Sequence, residues 1–351
     1  MRDLNILILG ATYGLLPAMR ILTAGHRVSV VCRAEEQAAL IQHGARILFK
    51  SSDQRLEATA AKAPAPVGTL GVTDADIDLA AIDLVILAMS EPHFRAPEIA
   101  SLVGRIGAAQ LPVISISNTP PPPFLQRLGD FDIDLLQDAY LAWDTWKSLH
   151  PDQVTSASPD AQAVRRNPDR TNELTVTLGS NFKIAPFARA EDQALLEQLA
   201  SDISSFKIDG DPVNVRLIPH GSLFAPLAKW PMLITGNCRC LQPNGEIISI
   251  SDAVRTNLEE SQAVYEWVLD VVRATGAKDS DLVPFRHYAA VSRRLIAPSS
   301  FARAVHARAS GVERIDKMVQ LTARAFGLSL PVLDTIVEQA DRHIAQTTST
   351  T

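Results

Sequence analysis

Two glycines and an arginine near the N-terminus have the types and spacing to hold a phosphate-bearing ligand. The loop Gly10-Ala-Thr-Tyr-Gly14 follows an apolar run at residues 5–9, and Arg33 ends a second apolar run at residues 28–32. A glycine turn between a buried strand and a helix presents backbone N–H groups to a pyrophosphate, and a basic residue that ends the next strand can pair with a ribose 2′-phosphate. The pattern predicts a nucleotide cofactor, NADP(H) in preference to NAD(H).

The glycine loop departs from the usual dinucleotide fingerprint. Its spacing is G-x-x-x-G where G-x-G-x-x-G is expected, and Thr12 takes the place of the glycine that lets the backbone approach the pyrophosphate. The Thr12 hydroxyl could replace part of the lost contact as a donor, although its Cβ would crowd a phosphate. Two interpretations stay open: a loop that binds a dinucleotide, or a βαβ unit that has kept its shape and lost that ligand.

The elements that must position these residues follow from alternating periodicities. Helical and strand patterns alternate through the first half, with apolar strands at 84–89 and 112–117 and an irregular edge at 51–70. The sequence predicts an α/β fold with an N-terminal Rossmann-like, doubly wound parallel sheet. Ligands of such sheets bind beyond the carboxyl ends of the strands, which places Asn118 near any cofactor. The residues expected at the cofactor are Gly10, Ala11, Thr12, Tyr13, Gly14, Arg33 and Ser90.

The second half has a different pattern. Residues 147–172 are polar and rich in Pro, Asp and Ser, so a loop excursion is expected there, followed by short strands at 174–178 and 213–217. From about His220 onward the pattern is almost wholly helical. The predicted domains are a Rossmann-like dinucleotide-binding domain at 1–219, an all-helical domain at 220–345 and a polar tail at 346–351.

Composition excludes several classes of function. With 351 residues, 46% hydrophobic residues and a formal net charge of −6, the chain is expected to form two soluble globular domains without a basic surface for nucleic acid. Its apolar runs have strand length, far short of the roughly 18 residues that suggest a membrane span. Cys238 and Cys240 lack nearby histidines, so a zinc site is not expected. The chain has only three cysteines, which fits a reducing cytoplasm, and its N-terminal residues do not have the pattern of a signal peptide.

Several short motifs stand in a recognisable order along the chain. They are Ala24-Gly-His-Arg-Val28, Arg33, Asn118 after Ile114-Ser-Ile-Ser117, Lys229 with Asn237 eight residues on, Ser299-Ser300 and Gly327-Leu-Ser-Leu-Pro331. In this order the chain resembles the ketopantoate reductase family over most of residues 5–340. The resemblance implies an NADPH-dependent reductase of 2-oxoacids, with a helical C-terminal domain like that of 6-phosphogluconate dehydrogenase that binds substrate and permits a homodimer.

The resemblance also implies roles for individual residues. Lys229 would be the general acid that protonates the carbonyl oxygen as hydride arrives from the nicotinamide, because an ammonium group can both stabilise alkoxide charge and deliver the proton. Asn118 and Asn237 would orient the lysine and the substrate oxygens, and Ser300 would bind the substrate carboxylate. The alternative for the lysine, next to Trp230, is a side chain that only extends along apolar surface to water.

The chain departs from the family pattern where the substrate would bind. Leu233 takes the first Asn position of Lys-x-x-x-Asn-x-x-x-Asn, and Ser90 replaces an expected lysine. The family's acidic residue falls on Gly311 or Val312 unless a small insertion brings Glu313 into its place. Because a site built from hydrogen bonds is sensitive to such losses, ketopantoate itself is not the expected substrate.

The sequence leaves three functions open. The first is an NADP-dependent oxidoreductase acting on a 2-oxoacid or a related carbonyl or imine compound, with the catalytic residues Lys229, Asn118, Asn237 and Glu313 and the substrate residues Ser300 and Leu233. The second is a non-redox descendant of the fold, either a binding protein or an enzyme of different chemistry, with a remodelled glycine loop. The third is an opine-type reductive condensation, whose second carboxylate site has the candidates Arg286, Arg293, Arg294 and Arg303.

Overall fold

The computed structural model describes residues 3–50, 54–58, 77–129, 132–159, 162–167, 169–309 and 311–348. Most of the predicted irregular edge at 51–70 and the last residues of the predicted polar tail lie outside this part of the chain. The strands are β1 (Asn5–Leu9), β2 (Arg27–Val31), β3 (Ala45–Phe49), β4 (Arg55–Ala58), β5 (Leu84–Leu87), β6 (Val113–Ile116), β7 (Val154–Ser158), β8 (Gln162–Val164), β9 (Glu173–Leu178), β10 (Phe182–Ile184), β11 (Lys207–Ile208), β12 (Asp211–Pro212) and β13 (Leu217–Pro219). The helices are α1 (Ala11–Thr23), α2 (Ala34–His43), α3 (Pro97–Ala108), α4 (Pro122–Leu125), α5 (Trp143–Trp146), α6 (Ala190–Ser205), α7 (Trp230–Met232), α8 (Ile250–Arg255), α9 (Leu258–Ala274), α10 (Phe285–Ser292), α11 (Ser300–His306), α12 (Ile315–Ala325) and α13 (Pro331–Thr348).

The main sheet is Rossmann-like. Its strand order is β13-β10-β7-β6-β5-β1-β2, and neighbouring strands run parallel except β7 and β10, which are antiparallel. Leu7 and Ile8 point to opposite faces of β1 and both are fully buried, as expected for a parallel strand covered on both sides. This arrangement confirms the predicted α/β fold.

A second sheet has the order β4-β3-β9-β8, and it corrects the expectation of a loop at 147–172. That segment contains β8 and also β7, a fully buried strand of the main sheet. Its sequence Val-Thr-Ser-Ala-Ser has no apolar run, so strand periodicity does not reveal it. Hydrogen bonds compensate the loss of water around its buried hydroxyl groups. The Thr155 hydroxyl, for example, donates to the Ala185 carbonyl over 2.7 Å.

The strand predicted at 213–217 is also misplaced, since the structure has β13 at Leu217–Pro219 instead. Val215 has a φ angle of 65°, which interrupts an extended chain. Its carbonyl accepts a hydrogen bond from the buried guanidinium of Arg20 on α1 over 3.1 Å. The irregular backbone therefore supplies an acceptor to a buried charge.

The chain divides into two compact units. The first comprises Met1–Met89, Phe94–Phe124 and Asp144–Leu223, and it contains both sheets. The second comprises Ser90–His93, Leu125–Trp143 and Phe224–Thr351, and its core is helical, as predicted for the C-terminal region. No helix within the described residues combines the length and apolar character that crossing a membrane requires.

Candidate functional site

The turn between β1 and α1 depends on Gly10. Its φ angle is 106°, and a Cβ there would lie 2.5 Å from Cγ of Met89 and 2.8 Å from the Ala88 carbonyl oxygen. Its N–H donates to the Val31 carbonyl at the end of β2 over 2.9 Å. A side chain at position 10 would therefore disturb both the backbone and the end of β5.

Gly14 allows α1 to pack closely on the sheet. A Cβ at this position would lie 2.7 Å from Cγ2 of Ile8 and 3.2 Å from Cβ of Ala88. Close helix–strand packing is the role of the third glycine in the dinucleotide fingerprint, while the tight turn is that of the first. The loop thus keeps two of the three glycine functions.

The start of α1 suits an anion. No side chain caps it, and its first turn contains no acidic residue. The first N–H groups of a helix have no acceptor within the helix and carry partial positive charge. Ala11 is buried, Thr12 is exposed, and the Tyr13 ring packs edge-on against Phe182 with centroids 5.8 Å apart.

A cluster around Glu36 links the glycine loop to the end of β2. The Glu36 side chain is only 4% exposed. Its Oε1 accepts hydrogen bonds from the Thr12 hydroxyl at 3.3 Å, from Nη2 of Arg33 at 3.2 Å and from Nη1 of Arg165 at 2.6 Å. Its Oε2 accepts the backbone N–H of Arg33 at 3.2 Å. The Thr12 hydroxyl is thus engaged with this carboxylate.

The cluster shifts the pKa values of its members in opposite directions. Burial acts to raise the pKa of Glu36, but hydrogen bonds from Arg33 and Arg165 outweigh it and hold that pKa below the ordinary value. The hydrogen bond to Glu36 raises the pKa of Arg33. Burial, reinforced by the nearby carboxylate, raises the pKa of Cys32 to about 11. The cluster therefore holds Glu36 as a carboxylate and Arg33 as a guanidinium at neutral pH, beside a neutral Cys32 thiol.

Sequence reasoning missed Glu36 and Arg165. Glu36 lies in a segment whose periodicity shows only a helix, and Arg165 follows β8 in the segment expected to be a loop. Their contact spans 129 positions of sequence, so no local pattern could indicate it. Arg33, expected to end β2, lies two residues beyond it, directly before α2, with its side chain 72% exposed.

Asn118 lies directly beyond the carboxyl end of β6, in a turn fixed on both sides. The Ser117 hydroxyl accepts the Thr119 N–H at 3.1 Å and donates to the Thr119 carbonyl at 2.8 Å. Asn118 is half-buried between them. The exposed Ser90 also follows a strand of the same sheet, β5, but groups with the second unit.

Lys229 and Asn237 lie on one continuous helical stretch of the second unit. The stretch consists of a 3₁₀ turn at Leu227–Lys229, α7, a π turn at Leu233–Asn237 and a 3₁₀ turn at Cys238–Cys240. In a uniform α-helix, eight residues would leave Asn237 about 80° away from the face of Lys229. The wider π turn rotates the chain less per residue and so moves Asn237 toward that face.

The environment of this stretch is tightly packed. Leu233 is 5% exposed, and a Cβ on Gly236 would lie 1.8 Å from the Tyr288 hydroxyl oxygen. The Ser299 hydroxyl donates to the Asn237 carbonyl over 2.6 Å and also accepts the Ala302 N–H at the start of α11. Ser300, the first residue of α11, is thereby held beside the end of the π turn with its side chain exposed.

Glu313 is half-buried in the segment that precedes α12. The segment is fixed by Gly311, which packs on Pro92, and by the buried Arg314, which pairs with Asp316 at 2.9 Å. Burial, together with the nearby carboxylates of Glu91 and Glu313, raises the pKa of Tyr140. Glu313 therefore lies near Tyr140 and Glu91 in the second unit.

The predicted site residues fall into two groups, one in each unit. Gly10, Thr12, Arg33 and Asn118 belong to the first unit, while Lys229, Leu233, Asn237, Ser300 and Glu313 belong to the second. The four arginines considered for a second carboxylate all have exposed side chains. Within the described ranges, no three metal-ligating side chains are grouped so that they could hold an ion.

No protein-family model matches the chain, and no curated protein matches it by sequence. Solved structures do match it. A ketopantoate reductase from Ralstonia eutropha aligns with 98% of this chain and 100% of its own, with a TM-score of 0.65 and 18% identity. A 2-dehydropantoate 2-reductase from Methylococcus capsulatus covers 98% of both chains with a TM-score of 0.66 and 15% identity. A dimeric ketopantoate reductase from Staphylococcus aureus aligns with 98% of this chain and 100% of its own, at a TM-score of 0.61 and 12% identity.

These comparisons define the class of protein at the level of fold. The chain is an α/β protein with a Rossmann-like sheet and a helix-rich C-terminal region. Its fold is that of the ketopantoate reductases, which confirms structurally the resemblance seen in the sequence.

Proposed function

We propose that this protein is an NADPH-dependent reductase of a 2-oxoacid or of a related carbonyl or imine compound. The observation that carries the proposal is the carboxyl end of the β1–α1–β2 unit. There the Gly10 turn leads into a helix start without a capping side chain or an acidic residue, and an exposed Arg33 lies two residues beyond the end of β2. These features fit a pyrophosphate and a 2′-phosphate.

The cofactor, when bound, supplies hydride to the substrate, and the first unit supplies its binding groups. The backbone N–H groups at the start of α1, from Ala11 to Tyr13, are suited to the pyrophosphate. Arg33 is suited to the 2′-phosphate, because a guanidinium pairs with phosphate through charge-assisted hydrogen bonds. Thr12 replaces the fingerprint's middle glycine, and its hydroxyl is held by Glu36, away from the role of a phosphate donor.

The second unit supplies the proposed acid and substrate groups. Lys229 protonates the oxygen or nitrogen that receives charge during hydride transfer, and Asn237 orients the reacting groups, a role we also assign to Asn118 of the first unit. Ser300 binds the substrate carboxylate, and Glu313 takes the place of the family's acidic residue. The buried Leu233, where the family has an amide, removes a polar anchor and supports a less polar substrate than ketopantoate.

The proposal extends to assembly and location. Like the dimeric Staphylococcus aureus structure, the protein would form a homodimer through its C-terminal helices. It would act in the cytoplasm, where the thiols of its three cysteines stay reduced.

A second function is favoured by one observation, the threonine at position 12. A β-branched side chain where the pyrophosphate would lie is compatible with a non-redox descendant of the fold that binds a different ligand. Such a protein would not bind NADPH or NADH, which separates the two proposals by binding alone.

The test of the reductase is consumption of NADPH by the purified full chain in the presence of single compounds. The panel contains 2-oxoacids of increasing side-chain size, cyclic imines, and pairs of an oxoacid with an amino acid, which would report opine-type condensation. Turnover with one class assigns the substrate. Measurable NADPH binding without turnover on any class would argue against this reductase.

Lys229→Ala tests the proposed acid. It should lower turnover by about 10²- to 10⁴-fold, the usual contribution of a positioned acid, without weakening NADPH binding. The matched control is Lys278→Ala, an exposed lysine of the same unit. Equal effects of the two substitutions would contradict the role of Lys229.

A further inference from the structure

Arg165 has an unusual hydrogen-bonding state. Its side chain is 14% exposed and reaches Glu36 through Nη1, at 2.6 Å. Its Nε and Nη2 atoms are buried and have no hydrogen-bond partner among the described residues. Buried donors of a charged group are almost always satisfied, so these two require an explanation.

The two unpaired atoms form one functional edge. Nε and Nη2 carry parallel N–H groups on the side of the guanidinium opposite Nη1, and this fork matches two oxygens of a phosphate or carboxylate. Glu36 binds Nη1, on the other side of the guanidinium, and so fixes the orientation of the fork. Arg165 therefore carries a bidentate anion-binding edge beside the end of β2, and this edge is buried in the free protein.

Glu36 does not act as an acceptor for a ribose hydroxyl in this cluster. A carboxylate near the end of β2 usually favours NAD(H), because it accepts hydrogen bonds from the ribose. Here the carboxylate has about four acceptor positions, and it receives four donors from Thr12, Arg33 and Arg165. It is buried, and the three donors on Oε1 and the one on Oε2 hold it in place, so it positions the two arginines instead.

The charge of the cluster points to the same class of ligand. One carboxylate and two guanidinium groups leave a net charge of +1, arranged around the end of β2. A phosphate monoester carries about −1.5 to −2 at neutral pH and offers three acceptor oxygens. Its three oxygens are enough acceptors for the two donors of the Arg165 fork and one donor of the exposed Arg33, whereas a hydroxyl can compensate neither charge.

We infer that Arg165, positioned by Glu36, is a second binding residue for the 2′-phosphate of the cofactor and makes the protein select NADPH over NADH. This inference rests on the proposed use of a nicotinamide cofactor. It adds a residue from the second sheet to the site that the glycine loop and Arg33 indicate. On binding, the phosphate satisfies the Nε and Nη2 donors that no described residue satisfies in the free protein.

The test measures the dissociation constants of NADPH and NADH for the full chain by nicotinamide fluorescence. Arg165→Met should weaken NADPH binding by about 10- to 100-fold, the range for losing charge-assisted hydrogen bonds, and change NADH binding by less than about twofold. Arg165→Lys keeps the charge without the fork and should give an intermediate loss. The matched control is Arg166→Met, an exposed arginine next in sequence, which should change neither constant by more than about twofold.

Retained NADH binding shows that a variant is folded. Calorimetry that compares adenosine 2′,5′-bisphosphate with adenosine 5′-phosphate measures the contribution of the 2′-phosphate to the affinity. Equal NADPH affinities in Arg165→Met and Arg166→Met would overturn the inference and leave the reductase proposal standing. Equal weakening of NADPH and NADH would also overturn it, because Arg165 would then support the fold of the site and not the 2′-phosphate. Failure of the unaltered protein to bind either dinucleotide would overturn both proposals.

Discussion

Neutralising Glu36 is the most informative perturbation of stability. Glu36→Gln keeps the shape of the side chain but removes the charge that compensates Arg165, whose side chain is 14% exposed. Removing one partner of a buried ion pair costs about 3–5 kcal/mol. The bond to the largely exposed Arg33 adds at most about 1 kcal/mol, and the remaining amide oxygen recovers part of the loss. The expected net loss is about 2–4 kcal/mol from the unfolding free energy of the first unit.

Calorimetry measures this loss as a lower transition temperature, by roughly 5–15 °C for a unit of this size. The matched control is Glu35→Gln, which removes the same charge from an exposed neighbour and should cost less than about 1 kcal/mol. Glu36→Gln combined with Arg165→Met should recover much of the stability, because replacing both members of a buried pair is often nearly neutral.

The pH dependence follows from the lowered pKa of Glu36, whose cause is hydrogen bonding from Arg33 and Arg165 in spite of burial. A carboxylate with a lower pKa in the folded state stabilises that state above its unfolded pKa, and the contribution disappears as pH falls through the folded pKa. The difference between the unaltered protein and Glu36→Gln should be constant from neutral pH to about pH 5 and shrink below about pH 4.5. A difference that grows in acid, or one equal to that of Glu35→Gln, would refute the reasoning.

Three further predictions concern other parts of the molecule. Gly10→Ala should destabilise the first unit by about 2–4 kcal/mol, because alanine disfavours the positive φ and its Cβ would overlap Met89 and Ala88 after β5. Chemical denaturation measures this loss, and a loss below about 1 kcal/mol would contradict the prediction. Gly236→Ala should cost about 1–3 kcal/mol in the second unit, since its Cβ would overlap the Tyr288 hydroxyl; an unchanged melting transition would exclude this packing. Burial raises the pKa of all three cysteine thiols, so a thiol reagent at neutral pH should modify them slowly until denaturant is added. Fast labelling of the native protein would contradict these raised pKa values.

The first βαβ unit could be predicted from sequence because several local signals agree. Apolar residues fill β1 and β2, and Gly10 meets a backbone requirement that few other residues satisfy. In the C-terminal half, α9 likewise agrees with the helical pattern predicted from about His220 onward. Where burial and local propensity point the same way, sequence patterns are sufficient.

The remaining features depend on contacts that are distant in sequence. β7 is a central strand of small polar residues, which is stable only because acceptors such as the Ala185 carbonyl meet its hydroxyls. Val215 is an apolar, β-branched residue and so favours a strand in a sequence pattern, but its positive φ angle is incompatible with one. The Glu36–Arg165 pair joins α2 to the second sheet, and neither residue is distinctive in its own segment.

The π turn shows a similar limit at the candidate site. The spacing of Lys229 and Asn237 can be seen in the sequence, but a spacing of eight does not place two side chains on one face of a regular helix. The wider turn at Leu233–Asn237 changes that geometry. The sequence therefore indicated the residues, and the structure supplies the local backbone that relates them.

Titration of the full-length, unaltered protein with NADPH and with NADH, followed by nicotinamide fluorescence, tests the central claim most directly. A cluster of net positive charge around a buried carboxylate that the arginines engage, next to an uncapped helix start, predicts micromolar binding of NADPH and binding of NADH at least about 10-fold weaker. Tighter binding of NADH would contradict the assigned roles of Arg33 and Arg165. Absence of binding by either dinucleotide would contradict the reductase itself.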